Sequence, residues 1–313
     1  AYRNLELLER CTNDGLLHGG PHFVSHGIKP CIHHTFAHAK ALAFLRDKST
    51  SLPEIDTSSP LPREQAKGVK HFPEIAVWLA ASGPWRGTVS AYDSIYRTKT
   101  EPDHTLHATG GALAVLYHDK VGTILAASMP RYIRVEPNNM QPQPGPDFPL
   151  TVRLESTQGG AWFTNLYDLE AEVEALDDGN TIGFRTRTTL RNEDRKPLED
   201  DVSKFDLDYV FSRLETVISV KSSGDSVSRS GATLVVPVIS PSGEIVRQVS
   251  ESRIEIIKPT GRVVVEATVP ISIKPSKRGR IFNMVPGMEC VPILIPLPCV
   301  KGMGASCRIS VVG

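Results

Sequence analysis

A chain of 313 residues is long enough for one large or two ordinary domains and a sizeable core. Lys plus Arg and Asp plus Glu both total 35, so the net charge is zero, which excludes a broad electrostatic footprint for nucleic acid. Hydrophobic residues at 40% and charged residues at 22% fit a soluble globular protein, and no apolar run is long enough to span a membrane; the most apolar tract, Val291 to Val300, is broken by Pro292, Pro296 and Pro298.

The front of the chain shows neither an initiator Met nor a signal peptide. The expectation is a processed chain or a piece of a longer protein, compatible with a secreted or periplasmic product. Five cysteines, Cys11, Cys31, Cys290, Cys299 and Cys307, are too few and too scattered for a disulfide scaffold.

Residues 1 to 47 read as helical. Leu5, Leu7 and Leu8 mark a short first helix. A second runs from Cys31 to Arg46 after Pro30, with Phe36, Ala37, Ala41, Leu42 and Leu45 at helical spacing. Six of the ten histidines fall between His18 and His38. His18, His22 and His26 lie in a loop broken by Gly and Pro, and His33, His34 and His38 open the second helix. Histidine titrates nearest neutral pH, so this density points to proton transfer or metal binding; the competing reading is a set of unrelated core and surface histidines. His34 and His38 share a helix face, but no Glu stands where an HExxH zinc motif needs one.

Residues 48 to 70 read as a linker, with Pro53, Pro60 and Pro62 and no periodicity. This divides the chain into a helical segment with linker, 1–68, and a β-domain, 69–313. Strands are expected at Glu74 to Ala81, Arg86 to Tyr96, Gly111 to Tyr117, Val121 to Ala127, Arg131 to Glu136, Leu150 to Glu155, Thr181 to Leu190, Tyr209 to Lys221, Ala232 to Ile239, Ile245 to Val249, Arg253 to Ile257, Val263 to Ile273, Arg280 to Met284, Val291 to Pro296 and Arg308 to Val312. Many short strands joined by Gly, Pro, Asp and Ser turns predict a mainly β protein, a large antiparallel β-sandwich. Nucleotide-binding glycine motifs and a GxSxG elbow do not occur.

Three stretches carry a family resemblance. They are Asn13-Asp14-Gly15 through His22-Phe23 and Gly27 with the histidine-rich helix; His107 to Gln141, with its Gly110-Gly111 pair and apolar return strand; and Arg280-Ile281-Phe282-Asn283-Met284-Val285-Pro286-Gly287. Together they resemble the heparinase II/III-like polysaccharide lyases, which join an N-terminal α/α toroid to a β-sandwich. The resemblance implies that residues 1–68 are the end of a toroid whose other helices lie upstream or on a partner chain. It implies an enzyme that cleaves a uronate-containing polysaccharide by β-elimination, with a His/Tyr acid–base pair between the helical and β parts.

That chemistry needs the uronate carboxylate neutralised, a base for the C5 proton, and an acid for the leaving oxygen. The residue types on offer make His34 or His22 the proton-transfer or carboxylate-binding group, with Tyr92 and His107 opposite. His26 and His33 are further substrate-binding candidates. Asn138, Asn139 and Gln141 form a polar cluster suited to sugar hydroxyls, although Pro137 and Pro142 beside them equally mark a turn. Of the three tryptophans, Trp85 beside Gly83-Pro84 reads as an exposed loop residue able to stack on a sugar; packing is the commoner fate of Trp78 and Trp162. No cofactor is implied as obligatory. The resemblance does imply a structural zinc in the β-domain, with His107, His118 and Asp119 as local ligands, while a turn at His118-Asp119-Lys120 explains two of these without metal. Two other functions compete: a non-catalytic carbohydrate-binding or structural β-sandwich module, and a metal-dependent glycan hydrolase.

Overall fold

The computed structural model describes residues 12–13, 16–17, 39–41, 43–44, 46–47, 60, 65–93, 108–130, 148–179, 181–198, 204–223, 231–276, 279–283, 288–298 and 304–313. Two compact units are present: Ala1–Gln65 with Glu136–Gln143, and Ala66–Val135 with Pro144–Gly313.

In the first unit, β1 (Thr12–Asn13) pairs antiparallel with β2 (Leu16–Leu17). Thr12 is opposite Leu17 and Asn13 opposite Leu16. At these four residues the helical reading of residues 1 to 47 is corrected to paired strands. Residues 39–41, 43–44 and 46–47 are helical, all but residue 47 within the second expected helix.

The second unit is all β, in chain order: β3 (Gly68–Phe72), β4 (Val77–Ser82), β5 (Trp85–Ser90), β6 (Ala112–His118), β7 (Gly122–Ala126), β8 (Arg153–Gln158), β9 (Ala161–Thr164), β10 (Glu172–Asp177), β11 (Ile182–Thr189), β12 (Lys204–Phe211), β13 (Glu215–Ser222), β14 (Thr233–Ile239), β15 (Ile245–Ser250), β16 (Arg253–Lys258), β17 (Gly261–Ala267), β18 (Ser272–Ile273), β19 (Ile281–Asn283), β20 (Met288–Pro296) and β21 (Gly304–Val312). Three antiparallel sheets result. One is the meander β3-β4-β5-β6-β7. The second is eight-stranded, β10-β11-β12-β13-β21-β17-β16-β15. The third is β18-β20-β14-β8-β9, with β19 paired to β20.

Alternation drives the layering. Strands β12 and β13 bury every second residue, Phe205, Leu207, Tyr209 and Phe211 on one and Thr216, Ile218 and Val220 on the other. These side chains join Trp85, Val89, Leu113 and Leu116 of the meander and Leu154, Leu234, Val236 and Ile293 of the third sheet in one core. The eight-stranded sheet thus faces the other two, the antiparallel sandwich expected from the sequence. Burying each large apolar side chain contributes about 1.5–3 kcal/mol, set against about 1–2 kcal/mol per residue for fixing the backbone.

The expected strand Tyr209 to Lys221 is two strands. Ser212, whose hydroxyl accepts from the backbone N–H groups of Leu214 and Glu215, turns the chain without a Gly or Pro to announce it. Strands β9 and β10 lie in stretches with no assigned strand. Expected strand Arg131 to Glu136 lies outside the described residues.

Candidate active site

Of the candidate site residues, Tyr92, Trp85, His118 and Asp119 are described; His22, His26, His33, His34, His107, Asn138, Asn139 and Gln141 lie outside the described residues. The four that are described do not converge. Tyr92 lies two residues beyond the last residue of β5, while Trp85 opens it, opposite His118 at the end of β6. With a rise of about 3.4 Å per residue, the five steps from Trp85 to Ser90 put these ends roughly 17 Å apart.

The Tyr92 end is tightly held. Ala91 N–H donates to Ala76 O at 3.0 Å, and Thr109 Oγ1 donates to Tyr92 O at 2.6 Å. Thr109 in turn leads into Gly110-Gly111. Gly110 has φ +67°, and a Cβ there would collide with the Asn165 carbonyl, so only glycine fits. The fully buried Asn165 accepts from Leu154 N–H at 2.9 Å and donates from Nδ2 to Gly110 O at 3.1 Å. Thr186 Oγ1 donates to Gly111 O at 3.1 Å. One residue class beyond, buried Asp168 accepts from Thr188 Oγ1, Thr189 N–H and Arg191 Nε, pinning the turn after Asn165 to β11. The sequence reading missed Thr109, Asn165 and Asp168 as positioning residues. Their only local signal was the Gly110-Gly111 pair, since partners 17 to 55 residues away leave no trace in spacing.

Tyr92 itself is half-buried and is followed by exposed Asp93, with Thr109 two residues after His107. Its backbone is held on the preceding residue, through Ala91 N–H, and at its own carbonyl.

Trp85 corrects an expectation. It is fully buried, in edge-to-face contact with His118 at 4.6 Å, and cannot stack on a sugar. Gly83-Pro84 is a two-residue hairpin turn rather than a loop, with Ser82 opposite Trp85. Gly83 has φ +54° and proline holds φ negative, the combination of a type II′ turn, so the strand restarts at once and takes the tryptophan into the core. By contrast, Trp78 and Trp162 are only half-buried.

His118, a candidate zinc ligand, is engaged within its own turn. Its Nδ1 accepts the Lys120 N–H at 3.1 Å. Burial, opposed by Asp119 and assisted by Lys120, lowers its pKa and favours the neutral ring. With Nδ1 accepting, the neutral ring carries its proton on Nε2, so neither nitrogen has a lone pair for a metal. Thr109, the described residue nearest His107 in sequence after Ala108, lies at the opposite end of β6 from His118. Among the described residues no three His, Cys, Asp or Glu side chains could hold an ion together. The turn reading of His118-Asp119-Lys120 is the one the geometry favours.

A pH dependence follows. His118 binds a proton more readily in the unfolded chain than in the folded one, so stability is full above pH 6.5 and falls as the pH drops below it. Chemical denaturation between pH 7.5 and 5 should show this loss. His118→Asn keeps an acceptor for Lys120 N–H and should flatten the slope; an unchanged slope would assign the acid sensitivity to another group.

Comparison with known proteins adds the family. Residues 69–312 match the model described as ulvan lyase C-terminal domain, and residues 1–64 match that described as ulvan lyase N-terminal domain. The broad-specificity ulvan lyase of Formosa agariphila is 47% identical over 293 residues, covering 94% of this chain and 45% of that protein. The chain thus spans a little under half the length of this curated relative. Among solved structures, heparinase III superposes with a TM-score of 0.51 at 11% identity, over 79% of this chain and 37% of its own. The 4-α-glucanotransferase of Thermococcus litoralis gives the same TM-score at 10% identity, over 79% of this chain and 40% of its own. A lyase and a transferase match equally well, so these likenesses carry the fold and not the chemistry.

Proposed function

The chain belongs to the ulvan lyase family, and on that premise we propose that it forms part of a polysaccharide lyase that cleaves an ulvan-type, uronic-acid-containing glycan by β-elimination. The observation that carries this is the 47% identity, sustained over 94% of the chain, to a protein whose name states that activity. The reaction is an elimination. A base takes the C5 proton of the uronate, the C4–O bond breaks, a C4–C5 double bond forms, and an acid returns a proton to the departing oxygen. Water is not consumed.

Tyr92 and His107 are the acid–base candidates of the β-domain, and His34 or His22 those of the N-terminal segment. Support for Tyr92 is its held backbone; support for the histidines is their residue type and density. His26, His33, Asn138, Asn139 and Gln141 remain proposed sugar contacts. No metal enters any step. A polymeric substrate implies action outside the cytoplasm, so a secreted or periplasmic location is part of the proposal.

The test is ultraviolet absorbance during incubation of the whole protein with ulvan. A conjugated-alkene signal should grow, and mass spectrometry should show ends lighter by one water than hydrolysis would leave. Saturated ends would replace elimination by hydrolysis, and ulvan left intact but bound would replace the enzyme by a binding module.

A further inference from the structure

The face of the third sheet turned away from the main core, where Phe148, Leu150, Val235 and Cys290 form a second small core, holds a cationic, aromatic cluster that the elimination chemistry does not use. Arg153 on β8 is 1% exposed, yet a guanidinium costs several kcal/mol to bury and an apolar residue would serve packing as well. Its Nε donates to Glu155 Oε2 at 2.8 Å, and Nη1 donates to the carbonyls of Pro149 and Thr151. Nη2 has no hydrogen-bond partner among the described residues.

The neighbours extend the pattern. The Arg153 guanidinium lies over the Phe148 ring, 4.4 Å from its centroid, and 5.8 Å from that of Trp162. Lys274 Nζ lies over the same Phe148 ring at 4.6 Å, with no carboxylate partner among the described residues. Register explains the grouping. Glu155 is opposite Thr233, Arg153 opposite Val235, and Trp162 opposite Thr157, so Arg153, Glu155 and Trp162 share one face of the sheet. Trp162 donates from Nε1 to Glu155 Oε2 at 3.1 Å, which fixes the indole upright and half-exposed. One carboxylate, Glu155, stands against two cations. Among the described residues the cluster therefore keeps a net positive charge beside a half-exposed indole, a combination suited to a sugar bearing an acid group.

We propose that this face is a second glycan-contact site for an anionic sugar, whose carboxylate or sulfate ester meets Lys274 and the Nη2 of Arg153 while its ring lies along Trp162. It rests on the lyase reading only for the polymer it serves. Its test is binding and not cleavage, so the two readings fail separately.

The experiment titrates the full chain, carrying Tyr92→Phe to suppress cleavage, with three probes: oligogalacturonate, which has carboxylates and no sulfate; κ-carrageenan oligomers, which have sulfates and no carboxylate; and neutral cello-oligosaccharide. Calorimetry reads affinity, and the Trp162 indole N–H resonance reads location. At least one anionic probe should bind and shift that resonance, and the neutral probe should not. Lys274→Glu and Trp162→Ala should each weaken binding at least tenfold, while Lys70→Glu on the meander should leave it unchanged. Which anionic probe binds identifies the acid group. Failure of both anionic probes to bind, or binding that persists through both Lys274→Glu and Trp162→Ala, overturns the proposal, whatever the whole protein does to ulvan. Melting curves confirm that each variant is folded; Arg153 is left intact because its burial makes it a folding residue as well.

Discussion

Tyr92→Phe in the whole protein should lower kcat on ulvan by about a hundredfold or more, the scale on which one positioned acid or base contributes. KM should change little, since the ring and its packing remain. The fold should also persist: the contact that anchors this position is from Thr109 Oγ1 to the Tyr92 carbonyl, which the substitution does not touch. Thr109→Val gives the complementary result. It removes the anchor while leaving the phenol, so kcat should fall less and the pH profile should keep its shape, as befits a positioning residue. Initial rates of alkene formation across pH, measured alongside melting temperature, separate the cases. Unaltered kcat in Tyr92→Phe would make Tyr92 an ordinary strand-end aromatic and leave the proton transfers to the histidines.

Trp85→Ala should cost about 3–5 kcal/mol, the range for deleting a large buried aromatic. The indole is fully enclosed, packs edge-on against His118, and closes the end of the core where the β4–β5 hairpin turns. Trp85→Phe should cost much less. It leaves a smaller void and removes an indole N–H that is buried without a hydrogen-bond partner among the described residues. Urea denaturation gives both values. If Trp85 bound sugar, Trp85→Ala would weaken glycan affinity while leaving stability alone; the buried position predicts the reverse.

The two predictions bear on how sequence maps to site. Residue type and alternation made the β-sandwich legible, because apolar residues at every second position have one stable destination, a shared core between sheets. The same patterning misplaced Trp85. Gly83-Pro84 signals a turn correctly, but a turn can end a loop or join two paired strands, and only the pairing of Ser82 with Trp85 distinguishes them. Strands β12 and β13 merged in the sequence reading for a related reason: Ser212 makes its turn by hydrogen bonds from one hydroxyl, with no backbone-special residue to mark it.

The candidate site was legible in residue types and not in geometry. Tyr92, a candidate for proton transfer, and His118, a candidate metal ligand, sit at opposite ends of a strand pair. His118 also looked like a metal ligand until its acceptor nitrogen was found spent on Lys120 N–H. Asn165 and Arg153 gave no hint of their roles, since each acts through partners that register alone brings close.

By itself, then, the sequence determined the class of fold, the position of the most abrupt change in composition near residue 68, and the supply of His, Tyr, Asn and Arg from which a uronate-handling site can be made. These are local quantities, set by side-chain chemistry and by period-two burial. Tertiary structure alone decided which tryptophan is buried and which is half-exposed, which backbone holds Tyr92, and where Arg153, Lys274 and Trp162 meet. Those depend on strand register and sheet order, and a shift of one residue in register sends every side chain to the opposite face.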